Sequence, residues 1–398
     1  MKKKLQIQFL GLVSIFIING CTNDVINNDQ VKIQNNDQKE YNAALKNVQT
    51  FNSENFTKSN DAFLIKSSSM KTYSFKLKEA KKTRSSTSSE MPDSAFINIF
   101  TFVFEKNGDE GFAIASGDER ISRVYAYTEN GRLSDTTYIE GLAYTLNMFP
   151  YIYEDELNNY YSSDNIMTKA AMTYISVGPN VITEWDQGYP YNNYCPAVSS
   201  SCTHTLVGCG GIATAQALAY LNPTVQMFGI NYDILRSHQT PTFENQHMAA
   251  LFCFNVANAI GTTFGCNASS SNLKNSVGFL QHFNITLQYY EGNLKINDCI
   301  NSIVLKGITI ARGDQNEGQK GGHRWLYDGV KGYMYPTGNP NWPYKKGNPW
   351  PTFHCNWGWG PNSSNGWYVA SSGWEQPDSG TPAFLANNAQ IYFLPSLH

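Results

Sequence analysis

The hydrophobic and polar positions of the chain divide it into two parts of different character. In the first part, residues 95–105 alternate between apolar and polar side chains, as a half-buried strand does, and strand-like runs follow at 111–117 and 124–128. Residues 138–157 then have apolar side chains at helical spacing, although Pro150 is expected to break or kink that helix. The pattern predicts a small antiparallel sheet with a helix packed on it.

The composition changes along the chain as well. Residues 21–50 are rich in Asn, Asp, Gln and Lys and have little periodicity, which predicts a flexible tether. Aromatic residues, Gly and Cys become frequent from about residue 165, so we place a domain boundary between 51–170 and 171–398. A chain of 398 residues, of which 41% are hydrophobic, is long enough for two such domains.

The N-terminus has the features of an export signal. Three lysines precede an apolar run at 5–18 that is too short for a stable membrane span, which predicts a signal peptide over residues 1–20. The ending Asn19-Gly20-Cys21 resembles a bacterial lipobox, in which the cysteine is lipidated and becomes the new N-terminus. We expect an exported lipoprotein of the outer membrane or cell surface, held by the Cys21 lipid alone and secreted if its first part is cut away. The alternative is a plain signal peptide with an incidental cysteine.

Charge and cysteine content narrow the chemistry. The formal net charge is −3 and only 15% of residues are charged, so nucleic acid and anionic membranes are not expected partners. If Cys21 carries lipid, an odd number of the eight cysteines remains, which in an exported protein points to one reactive thiol. The other six allow up to three disulfides. Cys195 and Cys202 are near enough in sequence to close a small loop, but the pairing stays open.

The most informative run is at 208–220, where small residues lead into an Ala-rich helical pattern. Cys209 is predicted at the N-terminus of this helix, where the helix dipole and free N–H groups favour a thiolate. Small neighbours leave the sulfur accessible and let backbone N–H groups approach a substrate oxyanion. The alternative is a buried cysteine beside a tight turn, or one half of a disulfide.

A thiol that acts as a nucleophile needs a base, and His323 is the candidate. It follows two glycines and begins a strand-like run, which leaves it open to approach and fixes the direction of its ring. Asn356 can bond the base and fix its tautomer, and Trp357 can shield that bond from water. Gln187 can donate its amide to a developing oxyanion. The simpler alternatives are a surface histidine for His323, a Gly/Trp turn that packs a core for Asn356 and Trp357, and a polar turn residue for Gln187.

The order Gln, Cys, His, Asn and the runs around these residues resemble the papain-like cysteine peptidases, and the streptopain family in particular. The motifs that carry the resemblance are Trp-x-Gln-x-x-Pro-Tyr-Asn at 185–192, Gly-Cys with Gln seven residues on at 208–216, Gly-Gly-His at 321–323 and Asn-Trp-Gly-Trp-Gly at 356–360. A run at 111–118 is similar to part of the propeptide of that family.

The resemblance implies an α+β fold. It implies a papain-like peptidase of two subdomains, in which a helical part carries Cys209 and an antiparallel sheet part carries His323. A small α+β prodomain would precede it, so that 51–170 is the inhibitory prodomain and 171–398 the cysteine peptidase domain. The partners would be protein or peptide substrates and the chain's own prodomain, with no cofactor and no metal.

The resemblance also assigns roles to the candidate residues. Cys209 would be the nucleophile, His323 the general base and then acid, and Gln187 part of the oxyanion hole, with Asn356 and Trp357 positioning and shielding the base. The chain would be an endopeptidase made as a zymogen, acting through a thioester acyl-enzyme. Two alternatives stay open: a Cys-dependent amide transferase, and a catalytically silent binding or inhibitor protein on the same scaffold.

Two departures from the family pattern concern the neighbours of the candidate pair. Gly210-Gly211 stands where bulkier Val-Ala is usual after the nucleophile, which is expected to loosen that turn. Arg324 follows the histidine where a small residue is expected, so the substrate pocket is expected to be narrowed or charged. Both bear on substrate preference more than on catalysis.

Overall fold

The computed structural model describes most of the chain between residues 35 and 393. The described ranges are 35–55, 63–77, 92–161, 173–221, 231–314, 322–334, 349–370 and 389–393. The predicted signal peptide, the lipid attachment at Cys21 and the domain boundary at 170/171 lie outside them. Across these ranges, no helix combines the length and the apolar character needed to cross a membrane.

The first part of the chain is an antiparallel meander between two helices. Four strands pair in sequence order, and the strand-like runs of the sequence fall within the last three of them. The elements are α1 Asn35–Asn55, β1 Leu64–Lys76, β2 Ser94–Lys106, β3 Asp109–Ser116, β4 Arg123–Thr128 and α2 Glu140–Tyr161.

Strand β2 is buried on both faces, and this explains how the two helices hold the meander. Phe100, Phe102 and Phe104 point to one face, where they pack with Ala44 and Val48 of α1. The side chains between them point to the opposite face, because successive residues of a strand alternate. On that face Ala95, Ile97 and Ile99, earlier in the strand, join a larger apolar cluster to which α2 contributes. The meander is therefore the middle layer of a three-layer unit.

The prediction of a flexible tether over 21–50 is wrong for residues 35–50, which form most of helix α1. Apolar residues recur there at helical spacing, at Tyr41, Ala44, Leu45 and Val48, and Ala44 and Val48 are fully buried. The polar composition around them hid this stripe. Helix α2 likewise continues through Pro150, so the predicted break is absent.

The second part of the chain holds a group of helices and the remaining strands. Its elements are β5 Thr173–Val177, α3 Cys209–Leu221, α4 Tyr232–Arg236, α5 Gln246–Ala259, α6 Leu273–Gln281, β6 Leu287–Glu291, α7 Ile296–Val304, β7 Thr309–Asp314, β8 Gly322–Met334, β9 Thr352–Asn356, β10 Gly366–Val369 and β11 Ala389–Phe393.

Both parts share one antiparallel sheet. Its strand order is β1-β2-β3-β4-β10-β9-β8-β7-β11-β6, with β5 paired to β8. The junction is the β4–β10 pair, where Tyr127 lies opposite Trp367 and Ala126 opposite Tyr368. Helix α2 packs over this junction, and its apolar side chains lie in one core with Trp325 of β8. The first part is thus built onto the edge of the second.

Helix α3 is the centre of a separate apolar core. Ten consecutive residues, from Gly210 to Ala219, are buried, and the helix packs with α5, α6 and the sheet. A disulfide joins Cys202, just before this helix, to Cys266. The small loop between Cys195 and Cys202 is therefore not closed by a disulfide. This arrangement confirms the predicted α+β class, with a helical part that carries Cys209 and a sheet part that carries His323.

Candidate active site

Cys209 is the first residue of α3, as the sequence predicts. Gly208 before it has a φ of 88°, in the left-handed region that glycine adopts without strain. This turn places the sulfur ahead of the free N–H groups of the first helical turn, which stabilise negative charge. The sulfur lies 3.9 Å from the carbonyl oxygen of Gly322, which begins β8.

Cys209 differs from the other free thiols of the described chain. It is partly exposed, whereas Cys195, Cys253, Cys299 and Cys355 are buried. Burial raises the pKa of Cys195 and Cys299 to about 12 and that of Cys253 and Cys355 well above the ordinary value. Burial also acts to raise the pKa of Cys209, but the hydrogen bond and charge of His323 outweigh it and lower the pKa to about 7. One thiol of the five is thus set apart as a nucleophile.

His323 lies in β8 with its ring held between two partners. Its Nε2 is 2.8 Å from the carbonyl oxygen of Trp357, which accepts a hydrogen bond and cannot donate one. Nε2 therefore carries the proton in the neutral ring, and Nδ1 is left as the nitrogen that can accept one. This tautomer is the one that can take the thiol proton.

The pKa of His323 is raised. Burial acts to lower it, but this is outweighed by the hydrogen bond and charge of Cys209, by the Trp357 carbonyl and by the charge of Glu140. A lowered thiol pKa and a raised imidazole pKa favour the same ion pair, a thiolate beside an imidazolium. The geometry therefore supports nucleophilic catalysis by sulfur.

The predicted role of Trp357 is to shield a bond between His323 and Asn356 from water, and its indole lies in the apolar core beside Trp325. Trp357 is fully buried, and its Nε1 donates to the carbonyl oxygen of Ser364 at 2.9 Å. The ring of Trp325 stacks near His323, with centroids 6.2 Å apart and an interplanar angle of 12°. The buried indole of Trp325 thus lies beside the imidazole that bonds the Trp357 carbonyl.

Asn356 does not bond His323, and the sequence-based role must be corrected. Its amide nitrogen donates to the carbonyl oxygen of Thr183 at 2.7 Å and to Gln216 at 3.3 Å, while its oxygen accepts from the N–H of Gly358. The residue that fixes the tautomer is Trp357, through its backbone carbonyl. Asn356 acts on His323 only indirectly, because its hydrogen bonds hold the turn that contains the Trp357 carbonyl.

Gln216 is a residue whose role the sequence did not reveal. It is fully buried in α3, pairs with the Asn356 amide and accepts from the N–H of Trp185 at 3.1 Å. It ties the helix of Cys209 to the turn beside His323 and to the segment that holds Gln187. The sequence does carry a sign of this role, because Gln216 is the one amide side chain in a helix of mainly small and apolar residues. A polar group buried in such a helix needs a hydrogen-bond partner.

Gln187 lies beside the candidate nucleophile. Its carbonyl oxygen accepts from the N–H of Val207 at 2.9 Å, and Val207 stands two residues before Cys209 in the sequence. Its side chain is buried, and its Nε2 has no hydrogen-bond partner in the described part of the chain. An unpaired buried donor is costly. Such a donor near a nucleophile fits a group reserved for a developing oxyanion.

The first turn of helix α2 lies directly against the candidate site. A Cβ atom at Gly141 would stand 2.8 Å from Cδ2 of His323 and 2.8 Å from Cζ3 of Trp357. Tyr138, just ahead of α2, packs edge-on against Trp359 with centroids 5.8 Å apart. The first part of the chain therefore lies against His323 and against the indoles of Trp357 and Trp359.

Comparisons with known proteins agree with this division of the chain. The Peptidase C10 family model matches residues 185–250 and 229–368, and the Spi protease inhibitor model matches residues 35–150. No match is found among curated proteins. Among solved structures, a fragment of Prevotella intermedia prointerpain A is 17% identical, with a TM-score of 0.48, over 74% of this chain and 96% of that one. Active Prevotella intermedia interpain A is 18% identical, with a TM-score of 0.39, over 54% of this chain and 94% of that one.

Proposed function

The chain belongs to the peptidase C10 family and carries a Spi-type inhibitor domain ahead of its peptidase part, and from this we propose that it is an exported cysteine endopeptidase zymogen in which Cys209 is the nucleophile and His323 the base. The observation that carries the proposal is the placement of Cys209 beside His323, which makes it the only free thiol of the described chain whose pKa is lowered. Loss of casein hydrolysis in Cys209→Ala is the test.

The proposed reaction is acyl transfer in two halves. The Cys209 thiolate attacks a peptide carbonyl carbon, and the electron pair of the C=O bond moves to the oxygen, where Gln187 donates a hydrogen bond. The C–N bond then breaks as the imidazolium of His323 protonates the leaving amine, which leaves a thioester. In the second half His323 takes a proton from water, the hydroxide adds to the thioester carbonyl, and the thiolate leaves.

Inhibition by the first part follows from the contact of α2 with His323. Helix α2 occupies the approach to the imidazole, and its Gly141 allows a distance that any side chain would prevent. Glu140, in the same turn, contributes to the raised pKa of His323. We therefore assign the inhibitory contact to the first turn of α2, and proteolytic removal of this part would open the site.

Replacing Gly141 with leucine is expected to weaken this inhibition. The added side chain collides with His323 and Trp357, and overpacking of this kind costs about 1–3 kcal/mol. We expect the purified Gly141→Leu precursor to convert to the mature enzyme about tenfold faster, as measured by gel densitometry over time. The mature enzyme should have wild-type activity, because residue 141 belongs to the removed part.

The matched control is Gly278→Leu, since Gly278 is a helical glycine with open space around it. That variant should mature at the wild-type rate. An unchanged or slower conversion of Gly141→Leu would remove α2 from the inhibitory contact.

Export with a lipid on Cys21 is part of the same proposal. It is supported by the basic start, the apolar run at 5–18 and the lipobox-like Asn19-Gly20-Cys21. We expect Cys21→Ala to lose incorporation of labelled palmitate and to leave the detergent phase in partition experiments. Retained label in Cys21→Ala would exclude this attachment, whereas Cys195→Ala should keep the label.

A further inference from the structure

Arg324, the residue after His323, is almost fully buried beside the candidate nucleophile, with 4% of its surface exposed. Its guanidinium donates to the hydroxyl of Ser271 at 2.9 Å and, through a second nitrogen, to the carbonyl oxygen of the same residue. Ser271 precedes α6, whose N-cap is Asn272. Because two nitrogens of one planar guanidinium both donate to Ser271, they fix the distance and the angle between strand β8 and the loop that contains Ser271.

The same guanidinium occupies the place of a side chain at Gly210. A Cβ atom there would fall inside van der Waals contact of Nη1 of Arg324, 3.1 Å from its Cζ and 2.5 Å from Oγ of Ser271. Gly210 follows Cys209 in the first turn of α3. The guanidinium therefore lies against the backbone of the turn that presents the sulfur.

Arg324 also adds positive charge next to the sulfur. Burial acts to raise the pKa of Cys209, and after His323 the next group to lower it is the charge of Arg324, followed by a hydrogen bond from its backbone. The ionisable groups that lower the pKa of Cys209 most are thus His323 and Arg324, both on β8, while Glu140 of α2 helps to raise the pKa of His323.

We propose that Arg324 is a positioning residue for the reaction, which clamps the Cys209–Gly210 turn to Ser271 and supplies a fixed positive charge beside the nucleophile. This deepens the proposed function and rests on it. Gly210 has no side chain and so leaves the space that the Arg324 guanidinium occupies. The two departures from the family pattern, at residues 210 and 324, therefore depend on each other. The turn is held from outside by Arg324 rather than loosened by its glycine.

The charge is tested with Arg324→Gln, which removes the positive charge and keeps an amide donor on a side chain that is two heavy atoms shorter. The measurement is the rate of Cys209 alkylation by iodoacetamide from pH 5 to 9 in the full chain, read by intact mass before processing. In wild type the rate should fall as pH drops through about 7, because the thiol gains a proton there. In Arg324→Gln that fall should begin at higher pH, with a loss on the order of tenfold at pH 6, and the rates should converge at pH 9.

Arg312→Gln is the matched control for charge. Arg312 lies opposite Arg324 on the neighbouring strand β7 and is not among the groups that shift the pKa of Cys209 most. Its variant should keep the wild-type pH profile. Superimposable profiles of Arg324→Gln and wild type would overturn the charge part of the proposal.

The clamp is tested with a double-mutant cycle between residues 210 and 324. Gly210→Ala alone should slow alkylation and peptide hydrolysis at pH 8 about tenfold, because the new methyl group displaces the guanidinium. Alanine favours a helix more than glycine does, so a loss cannot come from helix propensity. In the Arg324→Ala background the same substitution should cost less, because the guanidinium is gone and the Ser271 hydroxyl, no longer held by it, can turn away from the new methyl group. Equal costs of Gly210→Ala in both backgrounds would overturn the clamp.

The two readouts separate this inference from the proposed function. Alkylation reports the state and position of the Cys209 sulfur without any peptide being cleaved. If no variant and no wild-type sample cleaves casein, the proposed function fails while the alkylation profiles still decide the role of Arg324. If wild type cleaves casein and the profiles coincide, only the role of Arg324 fails.

Discussion

Cys209→Ala is expected to lose peptide hydrolysis by at least about 10⁴-fold, because no other group near His323 can form the thioester. The other described free thiols are buried and have raised pKa values, so none can substitute for it. The measurement combines casein hydrolysis with N-terminal sequencing of the product. Wild type should yield a new N-terminus downstream of α2, which ends at Tyr161, while Cys209→Ala should remain a full-length precursor.

The control for this substitution is Cys195→Ala, which removes a free thiol of the same chain that is buried away from His323. It should hydrolyse casein within about twofold of wild type, as expected for sites that do not contact the reacting groups. Activity that survives in Cys209→Ala would end the proposal. Activity of wild type that appears only with an added amine would favour the amide transferase.

The sequence predicted the parts of the site that are coded locally. Cys209 at a helix start and His323 at a strand start follow from small residues ahead of each and from the period of the run behind. The strands of the first part follow from alternation in the same way. These features need only neighbours in sequence, so one chain suffices to find them.

The sequence failed where a contact joins distant segments. Residues 35–50 were predicted as a tether because their composition is polar. They form a helix because Ala44 and Val48 pack against the phenylalanines of β2, a contact with a distant segment. Asn356 was assigned to the base because an amide can fix a tautomer. The structure gives that position to the carbonyl of Trp357, and side-chain types do not predict a backbone contact. The Cys202–Cys266 pairing spans 64 residues and was equally out of reach.

The contact between α2 and His323 shows what the sequence left out about regulation. Gly141 has no feature in the sequence that separates it from other glycines. Its importance comes from the 2.8 Å approach of a missing Cβ to an imidazole that lies 182 positions further on. The helix was predicted from its period, but its target was not, because periodicity gives the apolar face of a helix and not what covers it.

Gln187→Met is expected to lower kcat by about 10²–10³-fold with little change in KM, which is the usual cost of removing one oxyanion donor. Methionine fills a similar volume and has no N–H. The Nε2 of Gln187 is buried with no partner in the described part of the chain, so its hydrogen bond is available for the transition state. The measurement is steady-state hydrolysis of a chromogenic peptide by the matured enzyme.

Alkylation separates an oxyanion role from a structural one. Displacement of iodide by the Cys209 thiolate creates no oxyanion, so Gln187→Met should react with iodoacetamide at the wild-type rate. Stability should not fall either, because the substitution removes a buried unpaired donor, whose cost is about 1–3 kcal/mol. Gln281→Ala, at an exposed glutamine that ends α6, is the control and should change neither kcat nor alkylation. If Gln187→Met slowed alkylation as much as hydrolysis, Gln187 would be placing the nucleophile rather than stabilising the oxyanion, because only the placement of the sulfur is common to both reactions.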